Sequence, residues 1–127
     1  KLGEFGAGVM LDNFPRTSGF EDLRRLNEIT DIDDLESLMT LSRLTKENCS
    51  LITKVERDSP AGKADVQRGD LITCFNGRVV KSVREVRVQM LAAEIGKEVE
   101  VRVTRLEKGV AKELTLKVTL TEPKQGK

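Results

Sequence analysis

The chain has 127 residues, a length that suits one domain. It is 38% hydrophobic and 34% charged with a net charge of +1, so no broad electrostatic field favours nucleic acid or anionic membranes. With four Phe and no Trp or Tyr, it also lacks the aromatic platforms on which single-stranded bases stack. No apolar run approaches the ~20 residues of a membrane helix. No signal peptide is visible. Because the chain starts abruptly at Lys1, we expect it to be an excised fragment. The missing signal peptide therefore gives no information about the compartment.

The first patterned stretch is residues 5–11, FGAGVML, in which two glycines at alternate positions lead into an apolar run. Glycine permits close approach, and successive backbone N–H groups can form a nest that binds anions. The alternative is a frayed terminal strand with flexible glycines. A polar loop containing Pro15 follows.

Two amphipathic helices are predicted next, with apolar residues at helical spacing. Those of the first are Phe20, Leu23, Leu26 and Ile29, and those of the second are Ile32, Leu35, Leu38, Met39 and Leu41. We expect Thr30 or Asp31 to be the N-cap of the second helix. The acids Asp31, Asp33, Asp34 and Glu36 do not indicate calcium, because an EF-hand loop requires a glycine at its sixth position. They are interpreted as charges at a helix start.

A strand is predicted over residues 50–56, and the most patterned part of the chain, residues 59–77, follows it. Its order is a Ser-Pro turn, a short helix over residues 61–66, a polar Gln-Arg-Gly-Asp turn, the strand Leu71–Phe75 and an Asn-Gly turn. Proline fixes its own φ, and Asn-Gly accepts positive φ at both positions, as a tight hairpin turn requires.

The remainder predicts a capped helix and a hairpin. Ser82 is expected to cap a helix over residues 83–94, with Gly96 at its C-terminal end. Valines and leucines then alternate with polar residues in two strands joined at residues 107–109. The segregated elements predict an α+β fold, a small antiparallel sheet or partly open barrel capped by helices. We expect one domain over residues 1–120, with a helical insert or extended connection at 12–48 and a polar tail at 121–127.

The stretch at residues 59–77 resembles the PDZ domain, in particular the version found in bacterial HtrA/Deg serine proteases. The matching positions are Ser59, Pro60, Ala61, Ala64, Gly69, Asp70, Ile72, Asn76 and Gly77. The family usually has glycine where this chain has Asp65, a mild departure because Asp is among the residues that tolerate a left-handed conformation. Family members also have a shorter connection with one short helix where this chain has two. The alternative is that residues 1–30 contain linker from an upstream domain.

The resemblance implies a peptide-binding site built by β-augmentation, in which an extended peptide adds a strand to a sheet edge. The glycine loop would hold the peptide carboxylate, and the groove would lie between residues 9–11 and the helix at 83–94. The implied peptide-binding residues are Phe5, Gly6, Ala7, Gly8, Val9, Met10, Leu11, Val83, Arg87 and Met90. On the helix, the last three form one stripe beside the core-facing Val86 and Ala93. The alternative makes Met90 plain core and Arg87 a solvated charge.

The chain carries no chemistry typical of an active site. It has no histidine, which removes Ser-His-Asp and Cys-His sites and HExxH zinc sites, and no P-loop or dinucleotide signature. We therefore expect no cofactor, and a binding segment rather than an enzyme, compatible with a fragment of a serine protease whose catalytic domain lies elsewhere. Cys49 and Cys74 lack a CxxC spacing. The tendency of free cysteine to be buried favours two separate thiols, and pairing between neighbouring strands stays open.

Two functions of different class follow. The first is a module that binds peptide or protein C-termini, regulating an HtrA-like protease or recognising its substrates. The second is a scaffolding module of an envelope or secretion complex, with its groove covered by the insert at residues 20–44. Neither involves nucleic acid or membrane insertion, and an oligomeric parent protein is compatible with both. The resemblance implies a periplasmic or other extracytoplasmic compartment.

Overall fold

The computed structural model describes residues 7–9, 19–48 and 50–121. Its elements are β1 (Ala7–Val9), α1 (Gly19–Thr30), α2 (Leu35–Leu44), β2 (Ile52–Val55), α3 (Pro60–Lys63), β3 (Leu71–Phe75), β4 (Arg78–Val79), α4 (Val83–Ala92), β5 (Glu98–Glu107) and β6 (Val110–Thr119). The α+β prediction is confirmed. Within these ranges, none of the helices has the length and apolar character needed to cross a bilayer.

The sheet is antiparallel throughout. Four strands follow the order β4-β3-β5-β6, and β1 pairs separately with β2. Backbone hydrogen bonds join the two parts, since Ile52 N donates to Asp70 O at 2.7 Å and Ile72 N donates to Ser50 O at 2.9 Å. A bridge between Leu51 and Leu71 continues that pairing, so β2 lies beside β3 as well as beside β1.

The turns of the patterned stretch take the predicted conformations. Asn76 and Gly77 have φ values of 54° and 80°, as a tight turn between β3 and β4 requires. Asp65 has φ 71°, so it adopts the left-handed conformation, at the position where the resemblance implies glycine. Lys108 and Gly109, with φ of 49° and 82°, form the equivalent turn between β5 and β6.

Three helices differ from their predicted bounds. The short helix expected over residues 61–66 is α3, which runs from Pro60 to Lys63 with Ser59 as its N-cap. The N-cap of α2 is Asp34, whose Oδ2 accepts from Ser37 N at 2.8 Å. Thr30 instead ends α1, where its hydroxyl donates to Leu26 O, so neither Thr30 nor Asp31 is the cap. The helix α4 begins at the predicted cap, Ser82, but its C-cap is Ala93. The chain therefore leaves the helix before Gly96, which serves a later turn with φ 92°.

The sheet carries two hydrophobic cores, one on each face. Neighbouring residues of a strand point to opposite faces. Ile52 and Ile72 therefore belong to the larger core, which includes Phe75, Val101 and Val86. Leu51 and Leu71 belong to a second core on the outer face. That second core is completed by Leu26 of α1 and by Leu38 and Leu41 of α2, with Leu106 of β5 packed against it.

Arg68 forms hydrogen bonds that connect the helical insert, α1 and α2, to the turn before β3. Its guanidinium donates to the carbonyls of Ile29 at 2.8 Å and Glu28 at 3.1 Å, and to Asp31 Oδ2 at 2.7 Å. These carbonyls lie at the C-terminal end of α1, where a cation is favoured by the helix dipole and by unsatisfied backbone acceptors. The side chain therefore caps α1 from a residue about 40 positions away along the chain.

Candidate functional site

Three of the predicted site residues lie in β1, the short strand Ala7–Val9. Ala7 is opposite Val55, Gly8 is opposite Lys54 and Val9 is opposite Ile52, with a bulge between Gly8 and Val9. Within the described part of the chain, β1 has a strand on one side only. Phe5, Gly6, Met10 and Leu11 lie outside the described residues.

The three other predicted site residues lie on α4, and their exposures differ. Val83 is buried and Met90 is half-buried against the larger core, whereas Arg87 is exposed. Sequence reasoning did not single out Val88 and Leu91, two exposed apolar side chains on the same helix. At 100° per residue, Leu91 lies beside Arg87, on the side away from Val86. Val88 and Leu91 are three residues apart, which places them side by side on a helix, and this spacing could have indicated an exposed apolar pair.

The larger core connects the two parts of the implied groove. Val86 faces this core from α4, and Ile52, the partner of Val9 in the β1–β2 pair, faces it from β2. Met90 and Ala93 pack against the same cluster. Hence α4 and the β1–β2 pair border one core, and α4 also contacts β3.

The helical insert lies on the opposite side of the sheet. The helices α1 and α2 pack on the core formed with Leu51 and Leu71, and their main contacts are with β2, β5 and β6. By contrast, α4 packs on the face of Ile52 and Ile72. Because strand neighbours point in opposite directions, the insert and α4 occupy opposite faces of the sheet.

The Gly-Asp pair of the patterned stretch is part of a buried polar network. The carboxylate of Asp70, which is 1% exposed, accepts from Arg105 Nε at 2.8 Å and from Arg105 Nη2 at 2.7 Å. It also accepts from the backbone N–H of Gln67 at 2.9 Å, a contact that aspartate commonly makes in turns. Arg105 Nη2 donates in addition to Asp65 O at 2.8 Å. The hydrogen bond with Asp70 raises the pKa of Arg105 above its ordinary value, so this side chain stays charged.

Other reactive groups are few in the described part of the chain. Among those residues, no cluster of His, Cys, Asp and Glu is arranged to hold a metal ion. Of the four acids predicted to be charges at a helix start, Asp34 caps α2 and Glu36 lies in its first turn, whereas Asp31 instead pairs with Arg68. Cys74 is half-buried in β3, and Cys49 lies outside the described residues.

Comparison with known families and curated proteins gives one consistent assignment. A family model described as PDZ domain matches residues 38–120, more than half of the chain. The match begins within α2 and leaves β1 and α1 outside. A curated relative, the probable periplasmic serine endoprotease DegP-like of Rickettsia prowazekii (strain Madrid E), is 36% identical over 53 residues. The match covers 42% of this chain and 10% of that protein.

Solved structures are also similar to this chain, and one of them extends the likeness in fold to nearly its full length. The serine endoprotease from Yersinia pestis matches with a TM-score of 0.50 and 28% identity, covering 58% of this chain and 26% of that one. An HtrA-type protease AlgW with tripeptide matches with a TM-score of 0.59 and 18% identity. That match covers 98% of this chain and 33% of that protease, and at this identity it concerns the fold alone. The chain thus spans a third or less of the proteases that it matches.

Proposed function

The chain belongs to the PDZ domain family, and we propose that it recognises C-terminal or extended peptide segments by β-augmentation. We further propose that it regulates an HtrA-like serine protease or selects its substrates, in the periplasm or another extracytoplasmic compartment. The second proposal is supported by the named relatives, which are serine proteases much longer than this chain, one of them named as periplasmic.

The single observation that carries the peptide-binding proposal is the position of β1. This strand is hydrogen-bonded to β2 on one side, and in the described residues its other edge has no strand partner. An unpaired edge presents backbone N–H and C=O groups to which an extended peptide can add. The helix α4 borders the same core, so its side chains would form the other wall.

In this mechanism, backbone hydrogen bonds supply affinity and side chains supply selectivity. Gly6 and Gly8 are proposed to let neighbouring N–H groups converge on the peptide carboxylate. The half-buried Met90 would offer an adaptable apolar contact. The exposed cation of Arg87, beside Leu91, would favour an acidic or polar residue upstream of the peptide terminus.

The scaffolding alternative required the insert to cover the groove. The packing of α1 and α2 on the face opposite α4 disfavours that arrangement, because the insert would have to cross the sheet edge to reach the groove. An open groove is therefore the better-supported hypothesis.

A matched pair of peptides tests the proposal. A ligand selected from a random C-terminal peptide library should bind as the free acid and lose ~1.5–3 kcal/mol as the C-terminal amide, the scale of hydrogen bonds to a charged group. Isothermal titration calorimetry with the 127-residue chain measures the affinity of the acid and of the amide. Equal affinities would refute carboxylate recognition, and a library that yields no consensus would refute the recognition of peptide C-termini.

Substitutions on α4 test which residues form the wall. Arg87→Ala should change the preference at upstream peptide positions, whereas Arg84→Ala, another exposed arginine of α4, should not. The regulatory proposal needs the full parent polypeptide: a library ligand with a free carboxylate should change its proteolytic rate, and its amide should not. An unchanged rate, with binding intact, would refute regulation alone.

A further inference from the structure

The outward face of α2 exposes apolar side chains that the fold does not use. Leu35 is 57% exposed and Met39 is 53% exposed, one helical turn apart. Val110, 57% exposed, lies nearby at the start of β6. Beside them opens a cavity of about 520 Å³, lined by Leu23, Glu36, Met39, Thr40, Ser42, Arg43 and Gly109. This surface lies on the side of the sheet away from α4.

Two opposite charges frame this apolar surface. Glu36 and Arg43 are seven residues apart, so their Cβ atoms leave the helix in nearly the same direction, about 10 Å apart along the helix axis. The side chain of Glu36 lies beside the turn at Gly109. Both are exposed, and neither forms an ion pair within the described residues. Several other charges of the insert do form ion pairs: Arg24 lies near Glu21 and Glu28, and Asp31 binds Arg68.

We propose that this surface binds a second copy of the chain through an antiparallel pairing of the two α2 helices. A two-fold axis placed between Met39 and Thr40 brings Glu36 of each copy opposite Arg43 of the other. An interface with two-fold symmetry must be complementary to itself, and one acidic and one basic residue equidistant from the axis satisfy that requirement. Each copy also offers a protruding Met39 and an open cavity that can receive it.

The expected complex is weak and sensitive to salt. One exposed helix face and a hairpin tip bury much less than the ~1,600 Å² of a standard interface. Exposed ion pairs are screened as ionic strength rises. The pairing does not depend on the proposed peptide-binding function, because α4 packs on the other face of the sheet and both α4 helices stay uncovered in the dimer.

Charge reversal provides a sharp experiment on the 127-residue chain. Sedimentation equilibrium at low salt should detect a concentration-dependent dimer of the native sequence. Arg43→Glu and Glu36→Arg should each weaken it by at least about tenfold in Kd, since two attractive pairs become repulsive. An equimolar mixture of the two variants should recover a dimer, because each Arg then meets a Glu. Arg84→Glu, a reversal on the exposed face of α4, is the matched control and should not change dimerisation.

A second substitution keeps the test valid if the Glu36 variant misfolds. Glu36 packs against Gly109, so Glu36→Arg could disturb the fold, which a circular dichroism melt would reveal. Met39→Lys changes an exposed side chain and places two cations at the axis, so it should also weaken the dimer by at least about tenfold in Kd. A native chain that stays monomeric at millimolar concentration would overturn the proposal. So would a dimer that survives both Arg43→Glu and Met39→Lys, or a mixture of folded variants that fails to associate.

Discussion

Replacing Arg105 by Met should destabilise the domain strongly, because it leaves the carboxylate of Asp70 buried without its counter-ion. Asp70 is 1% exposed and the side chain of Arg105 is 15% exposed, with two hydrogen bonds between them. Methionine keeps much of the length and apolar volume of arginine, so the charge and the donors are the main loss. The turn at Asp65 also loses a donor, since Arg105 Nη2 binds its carbonyl.

The expected loss is about 3 kcal/mol of unfolding free energy. Removing one partner of a buried ion pair costs ~3–5 kcal/mol. We expect a loss at the lower end of this range because Arg105 is partly exposed and because Asp70 keeps the hydrogen bond from Gln67 N. For a domain of this size, such a loss should lower Tm by about 10 °C.

Urea denaturation followed by far-ultraviolet circular dichroism is the suitable assay, because the chain has no Trp or Tyr for fluorescence. The matched control is Lys112→Met. Lys112 Nζ lies 2.8 Å from Glu107 Oε1, a similar distance, but both side chains are more than half exposed. Such pairs contribute little, so the control should behave like the native chain. If Arg105→Met lost no more stability than Lys112→Met, the argument from burial would be wrong.

Three smaller perturbations test local statements. Gly62→Ala should cost ~1–3 kcal/mol from overpacking, because its Cβ would meet the carbonyl oxygens of Glu56 and Arg57; a thermal melt checks this. Gly77→Ala should cost ~1 kcal/mol through its φ of 80° alone, since nothing lies within 4 Å, and calorimetry should find peptide affinity unchanged. Hydrogen bonds from Ser37 lower the pKa of Asp34 below its ordinary value, so its contribution to stability is present above the unfolded pKa and is lost as pH falls through the folded pKa. Asp34→Asn should therefore flatten the acid limb of a stability–pH curve.

Local chemistry in the sequence predicted the central part of the fold well. The strand Leu71–Phe75, the cap at Ser82 and the positive φ of Asn76 and Gly77 each depend on residues within a few positions of one another. The incorrectly predicted N-cap of α2 also involves residues that are close together in the sequence. Thr30, Asp31 and Asp34 all have side chains that can cap a helix, and their order along the chain does not show where the preceding helix ends.

Contacts between distant residues were not predictable from such patterns. Arg105 binds Asp70 across 35 positions, and Arg68 binds Asp31 across 37. Each arginine lies in a polar or alternating segment, where an exposed charge is the ordinary expectation. The geometry of the candidate site was unpredictable for the same reason. β1 and α4 are far apart in sequence, and the larger core, which α4 and the β1–β2 pair border, connects them. The placement of its side chains therefore stays a prediction.

The paired apolar residues Leu51-Ile52 and Leu71-Ile72 explain why the insert belongs to this domain's fold. A strand with one face in solvent alternates apolar and polar residues. Here two adjacent strands each place consecutive apolar residues at the same level, joined by the Leu51–Leu71 bridge. Both faces must then be covered at that level, and α1 and α2 cover the outer one with Leu26 and Leu41, which are fully buried. Removing the insert to expose a groove would instead expose a hydrophobic core, so peptide binding is better tested with the insert present.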